Sequence, residues 1–247
     1  MLDFNVLHFR SGPFKKHSAE IMEELKGIGI SAYVISIADL GKSEEPFEAN
    51  LGLFKECCGL EKVYLLAAID PTHPKCPIAV RELLSLGFCG VRLTPSRHEY
   101  KLDSHKLSQV ISWLDYEGII NISIRMTWRD APQVDFDSIT SIAKDYGDVH
   151  LIISGVNYTE SPWLVKDMRE VTNVLVEISL YQPLNGIKFL VDVLGEDRVL
   201  FGTGYPAQYP HCAIFKVLYS DINDETKEAI LYRNGLRMLK RYCRRAV

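Results

Sequence analysis

Apolar residues recur along this chain in two alternating rhythms. Short, nearly unbroken runs rich in Val, Ile and Leu predict strands at LDFNVLHF (2–9), SAYVISI (31–37), KVYLLAAI (62–69), CGVRL (89–93), INISIRM (120–126), VHLIIS (149–154), TNVLVEIS (172–179) and RVLFGT (198–203). Runs of this kind suit strands covered on both faces, as in a parallel sheet under helices. Between them lie helical patterns such as SAEIMEELKGIG (18–29), CPIAVRELLSLG (76–87) and SHKLSQVISWLDYEG (104–118). Pro77 falls in a first turn, and Gly29, Gly87 and Gly118 stand at the ends, the polarity expected of helix caps. Further helices are predicted near 46–57, 136–146, 161–170, 185–195 and 209–220.

Each of the eight strands is thus followed by a helix. Such alternation demands parallel strands with crossover helices, and eight units close into a barrel without an exposed edge. We expect one (β/α)8 TIM barrel over residues 1–247. A doubly wound open sheet is the alternative, but no GxGxxG follows the first strand and no linker divides the chain. The segment at about 224–245 predicts a terminal helix, with acids in its first turn and bases at its end.

Composition narrows the function classes. The 47% hydrophobic and 24% charged content is that of a globular domain, and a net charge of −4 gives no global pull towards nucleic acid. No apolar run approaches the ~20 residues needed to cross a bilayer, so no membrane partner is expected. The N-terminus does not have the form of a signal peptide. Six scattered cysteines with no CxxC pair read as reduced thiols in a cytoplasmic protein, without a disulfide framework or a thiolate zinc site.

In such barrels the working groups come from the C-terminal strand ends and the loops after them. Those positions hold Asn5, His8 and Arg10; Asp70 and His73; Arg92, Arg97 and His98; Asn121, Ser123, Arg125, Trp128 and Arg129; Ser154, Gly155 and Asn157; Glu177 and Ser179; and Thr203 and Tyr205. The rim is cationic, with few carboxylates. Arg92 and Arg125 each lie inside an apolar strand, where a permanent charge needs a carboxylate partner or an anionic ligand. Glu177 or Asp70 could supply the first, and a substrate carboxylate or phosphate the second. His73 and His98 are expected to be solvated. No GxSxG or HExxH occurs, and no two histidines stand at i, i+2 or i, i+4.

The ordered pieces LDFNVL, GVRLTP, INISIRMTW, VHLIISGVN, RVLFGTGYP and KEAILYRNGLRML resemble the amidohydrolase-related (family 2) branch of the metal-dependent amidohydrolases, (β/α)8 hydrolases and decarboxylases. The likeness runs through most of the chain and is strongest over 196–240. The family pattern opens on Asp-x-His-x-His; here Asp3 matches, but Asn5 and Leu7 stand at the histidine positions. His8 is one residue out of register, and strand alternation turns it away from the axis unless a bulge intervenes. The family's strand-five histidine falls on Arg125, its strand-six histidine on or beside Gly155, and its strand-eight aspartate on Gly204. A divalent ion needs three or four protein donors, and a guanidinium at a ligand position repels it, so neither metal nor cofactor is expected.

The resemblance implies a hydrolase class with a degenerate metal site. The expected function is metal-independent hydrolysis of an ester or lactone, or decarboxylation, of a small anionic molecule. Arg125 and Arg92 would orient the carboxylate, Asn5 and Asn157 would complete the binding site, and His8, Asp70 or Tyr205 would supply acid–base chemistry. The alternatives are a non-catalytic barrel that binds a small anion or a protein partner, and a relocated metal site using Asp70, His73 and His98. A homodimer pairing through outer helices is the oligomer the resemblance implies.

Overall fold

In a computed structural model, eight parallel strands follow the order of the chain. They are β1 (Leu2–His8), β2 (Ala32–Ile37), β3 (Val63–Ile69), β4 (Gly90–Leu93), β5 (Ile119–Ser123), β6 (Leu151–Ser154), β7 (Val174–Glu177) and β8 (Val199–Leu200). The structure describes all residues except 126, 128, 129, 170 and 244–247. Trp128 and Arg129, named above, lie outside the described residues. Past Leu200 the chain stays beside β1 and closes the barrel. Phe4 N donates to Phe201 O (2.9 Å), Gly204 N to Asn5 O (2.9 Å) and Leu7 N to Tyr205 O (2.8 Å).

The covering helices are α1 (Ser18–Gly27), α2 (Pro46–Cys57), α3 (Cys76–Ser85), α4 (Pro95–His98), α5 (Ser104–Trp113), α6 (Phe136–Asp145), α7 (Ser161–Asp167), α8 (Gly186–Leu194) and α9 (Pro210–Leu218). The expected terminal helix runs as α10 (Asp224–Glu228), a π-helical turn (Ala229–Arg233) and α11 (Asn234–Tyr242). The short α4, in the loop after β4, has no counterpart in the sequence expectation. Several strands end earlier than their apolar runs, although residues just past them, such as Ile124, Ile178 and Phe201, stay buried and hydrogen-bonded to the neighbouring segment. No helix of the described residues is long and apolar enough to cross a membrane.

The barrel interior is layered. An apolar lower layer comprises Leu2, Phe4, Ala32, Val34, Leu66, Ile119, Ile152, Leu175 and Leu200, against which Met238 and Leu239 of α11 pack. Above it, Asn5, Ser36, Arg92, Ser123 and Glu177 form a polar layer that is almost wholly buried. One extra residue in β1 permits this arrangement. Leu2 pairs with Ala32 but Leu7 with Ser36, so β1 spends five steps where β2 spends four. The bulge lets Phe4 join the apolar layer while Asn5, the next residue, joins the polar one. The Asp3 carboxylate accepts the Asn5 N–H (2.9 Å), and across the closing seam it accepts the Thr203 N–H (3.0 Å) and hydroxyl (2.5 Å).

One expectation from the cysteines is corrected. Cys89, at the start of β4, is bonded to Cys243, just past α11, while Cys57, Cys58, Cys76 and Cys212 are free. The partners are 154 residues apart, and only closure of the barrel floor by α11 brings their Cα atoms to 4.7 Å. Thiol titration of the denatured, unreduced chain should therefore count four groups, and six after reduction; six before reduction would remove the bond. Cys243→Ser should lower stability by about 2–5 kcal/mol in chemical denaturation.

Candidate functional site at the barrel mouth

The centre of the polar layer is the Arg92 guanidinium. Its Nη1 donates to Asn5 Oδ1 (2.7 Å) and Ser36 Oγ (3.1 Å), and its Nη2 to Ser123 Oγ (3.1 Å). Burial pushes its pKa down to about 10, opposed by the field of Glu177. Asn5 mediates between the two charges. Its Nδ2 donates to Glu177 Oε2 (2.7 Å) and Ser179 Oγ (3.1 Å). Glu177 also accepts the Ser179 N–H (2.5 Å) and hydroxyl (2.9 Å). Burial raises its pKa to about 7, and the Ser179 hydrogen bonds pull it back. Desolvation raises Asp3 to about 6 against its Thr203 and Asn5 bonds. A lysine not anticipated from the sequence lies close by. Lys216 of α9 donates to the carbonyls of Ile178 (2.6 Å), Ser179 (3.1 Å) and Tyr181 (3.1 Å), and desolvation lowers it to about 8 although Glu177 favours its charge.

Arg125 stands above this network and is fully committed. It forms a two-pronged pair with Glu160, Nη1 to Oε2 at 2.6 Å and Nη2 to Oε1 at 2.9 Å, and both side chains are about 95% buried. The partner is neither of the carboxylates the sequence offered. Glu160 belongs to a capping box at the turn Tyr158–Glu160, where Asn157 Oδ1 accepts the Thr159 N–H and Glu160 accepts the Asn157 N–H. The sequence signal was present as Asn157-x-x-Glu160, a pattern for a helix start rather than for a charge partner.

The mouth cavity is lined by Asn5, Leu7, Arg92, Arg125, Gly155, Ser179, Leu180, Gly204, Ala207 and Gln208. Its volume of about 10 Å3 is room for about one water. Of the residues given a role from the sequence, Asn5, Arg92 and Arg125 line this cavity, whereas His8, Asp70, Tyr205 and Asn157 do not. His8 faces outward despite the bulge, 3.5 Å from Ser18 Oγ on α1 and 3.5 Å from Glu56 on α2, and burial lowers its pKa. Asp70 accepts the Thr72 N–H and hydroxyl in its own loop. The Tyr205 hydroxyl donates to Glu24, and Asn157 caps its turn. His98 is buried rather than solvated, its ring between Thr94 Oγ1 (3.4 Å) and Leu40 O (3.1 Å). The rim is also less cationic than it looked. Arg10 pairs with Asp39 and Glu44, and Arg97 donates to the carbonyls of Leu40 and Asp39.

Among the described residues no three His, Cys, Asp or Glu side chains converge to hold a metal ion. Gly155 and Gly204, where the resemblance sets a histidine and an aspartate, differ in the room they leave for a side chain. At Gly155 (φ +82°) a Cβ would meet Arg125 O at 2.3 Å, a backbone atom that cannot swing aside. At Gly204 (φ +68°) it would meet Gln208 Cγ at 3.1 Å, so Gln208 and the left-handed backbone take the place of a side chain.

The amidohydrolase model Amidohydro_2 matches residues 44–241, and the chain belongs to that family. Among solved structures it is similar to 2,6-dihydroxybenzoate decarboxylase from Rhizobium (14% identity, 97% of this chain and 99% of that one, TM-score 0.71). It is also similar to 5-carboxyvanillate decarboxylase from Novosphingobium aromaticivorans, solved with manganese and 4-hydroxy-3-methoxy-5-nitrobenzoic acid (17%, 92% and 81%, TM-score 0.72). At these identities the likeness establishes the fold alone. No curated protein sequence matches significantly.

Glu177 gives the site a pH signature. Its folded pKa of about 7 lies above the ordinary 4.5, so the fold holds this proton more tightly than the unfolded chain does. Its stabilising contribution is full below pH 4.5 and is lost as pH rises through 7. The stability difference between the parent and Glu177→Gln should therefore move by on the order of 2–3 kcal/mol against the parent between pH 5 and 7.5. Denaturation at both pH values checks this, and a pH-independent difference would mean that Glu177 stays ionised.

Proposed function

We propose that this barrel is a non-catalytic member of the amidohydrolase family, whose polar mouth holds the fold together and does not turn over a substrate. The observation that best supports this is the commitment of the rim cations. Arg10, Arg92, Arg97 and Arg125 are each engaged by protein acceptors. A substrate carboxylate arriving at Arg125 would displace Glu160 and leave that charge buried. Such a loss costs about 3–5 kcal/mol, roughly 10²–10⁴-fold in affinity.

A second reading keeps catalysis: metal-independent decarboxylation, or hydrolysis of an ester or lactone, of a small anion. It is favoured by the family and by its similarity to two aromatic-acid decarboxylases. Two guanidinium groups and the Asn5 amide at one cavity also support it. In that case Arg125 exchanges Glu160 for the substrate carboxylate while Arg92 and Asn5 hold the charge behind it.

Purified protein incubated with 2,6-dihydroxybenzoate or 5-carboxyvanillate, with manganese or with chelator, should release no carbon dioxide, and manganese should not raise its melting temperature. Glu160→Gln should lose about 3–5 kcal/mol of stability and recover part of it in benzoate, which should leave the parent unchanged. Benzoate stabilisation of the parent, or turnover abolished by Arg125→Met, would replace the first reading with the second.

A further inference from the structure

At the end of the barrel opposite the mouth, beneath the strand starts, lies a cavity of about 430 Å3, against about 10 Å3 at the mouth. Small-molecule sites run from about 300 to 1,000 Å3. Its walls come from the end of α3 and the residues after it, the turn between α5 and β5, and the end of α11. Phe88, Leu114 and Tyr116 supply apolar surface, Arg81 and Arg241 two guanidinium groups, and Asp115 and Glu117 two carboxylates. Arg81 has no hydrogen-bond or ion-pair partner among the described residues, and Arg241 donates to Asp148 O (3.1 Å) through one nitrogen. Cys243 also lines this cavity and is half-buried, whereas Cys89, to which it is bonded, is only 2% exposed.

We propose that this cavity receives a small thiol carrying carboxylate and ammonium groups, and that Cys243 is its site of thiol–disulfide exchange. A thiolate attacks the disulfide sulfur it can reach, and here access is from the Cys243 side. The incoming sulfur bonds to Cys243 Sγ as the Cys89–Cys243 bond breaks. The electron pair leaves on Cys89 Sγ, which takes up the proton the incoming thiol gave up. One disulfide is exchanged for another, so no further oxidant or reductant enters. The two guanidinium groups hold the carboxylates of such a thiol, and Asp115 and Glu117 attract its ammonium. A simple anion would leave the acidic half of the lining unmatched. Exchange replaces the covalent link between α11 and β4 by contacts such as Tyr242 Oη on His150 Nδ1 (2.7 Å) and Arg241 on Asp148 O. The floor is then closed without a covalent bond. This inference does not depend on whether the mouth turns over a substrate.

Full-length protein treated anaerobically with reduced glutathione, then quenched in acid, denatured, alkylated and mapped by mass spectrometry, should carry glutathione on Cys243 and an alkyl group on Cys89. Reduced glutathione does not add to a free thiol, so Cys57, Cys58, Cys76 and Cys212 should carry none. Arg81→Glu and Arg241→Glu should each lower the rate constant for glutathione about tenfold and leave that for uncharged 2-mercaptoethanol unchanged. If Arg241→Glu does not fold, Arg81→Glu, on an exposed side chain, carries the comparison alone. S-methylglutathione, which has no free thiol, should protect the bond from 2-mercaptoethanol. The proposal is overturned by an adduct on Cys89, by glutathione rates that ignore the charge reversals, by a lack of protection, or by six titratable thiols before reduction.

Discussion

A guanidinium inside a barrel cannot escape its charge by losing a proton, so whatever surrounds it must supply acceptors permanently. Arg92 imposes this condition on the upper half of the molecule. Ser36 from β2, Ser123 from β5 and Asn5 from β1 converge on it. The Asn5 amide gives its oxygen to the cation and its nitrogen to Glu177. A neutral amide with one acceptor end and one donor end can separate two buried charges without leaving either unpartnered. The strands are thus bound to one another through their side chains as well as their backbones, and removing any member leaves a buried charge or dipole exposed to its neighbours.

The rim repeats the solution at larger radius. Each described arginine there is answered by carboxylates or carbonyls from an adjacent loop, so the electrostatics of the mouth are settled within the chain. Water-sized free space at the centre follows from the same cause, because side chains drawn together by charge leave little room between them. Family membership speaks for the backbone layout, and the chemistry of the mouth has to be read from the residues that line it.

The barrel was legible in the sequence because unbroken Val, Ile and Leu runs can only be buried on both faces. Arg92 and Arg125 stood out for the converse reason, as charges inside such runs. The partners were harder. Glu160 sits 35 residues from Arg125 in a turn signal that speaks of helix initiation, and Lys216 lies in a helix whose pattern does not reveal that its amine bends back onto the turn after β7. The Cys89–Cys243 bond depends on where α11 docks, which periodicity does not encode. His8 shows the limit of counting by twos: a bulge was needed to bring it inward, a bulge is present, and it moves Asn5 instead.

Gly155 and Gly204 bear on anyone who would add side chains to this mouth by design. Grafting a histidine or an aspartate onto either position meets a backbone carbonyl in one case and an occupied, left-handed corner in the other. A designer would have to move β6 away from the end of β5 before a side chain could be introduced at Gly155, whereas at Gly204 a small shift of the Gln208 side chain decides the fit. The two corners of one mouth thus set unequal tolerances for redesign.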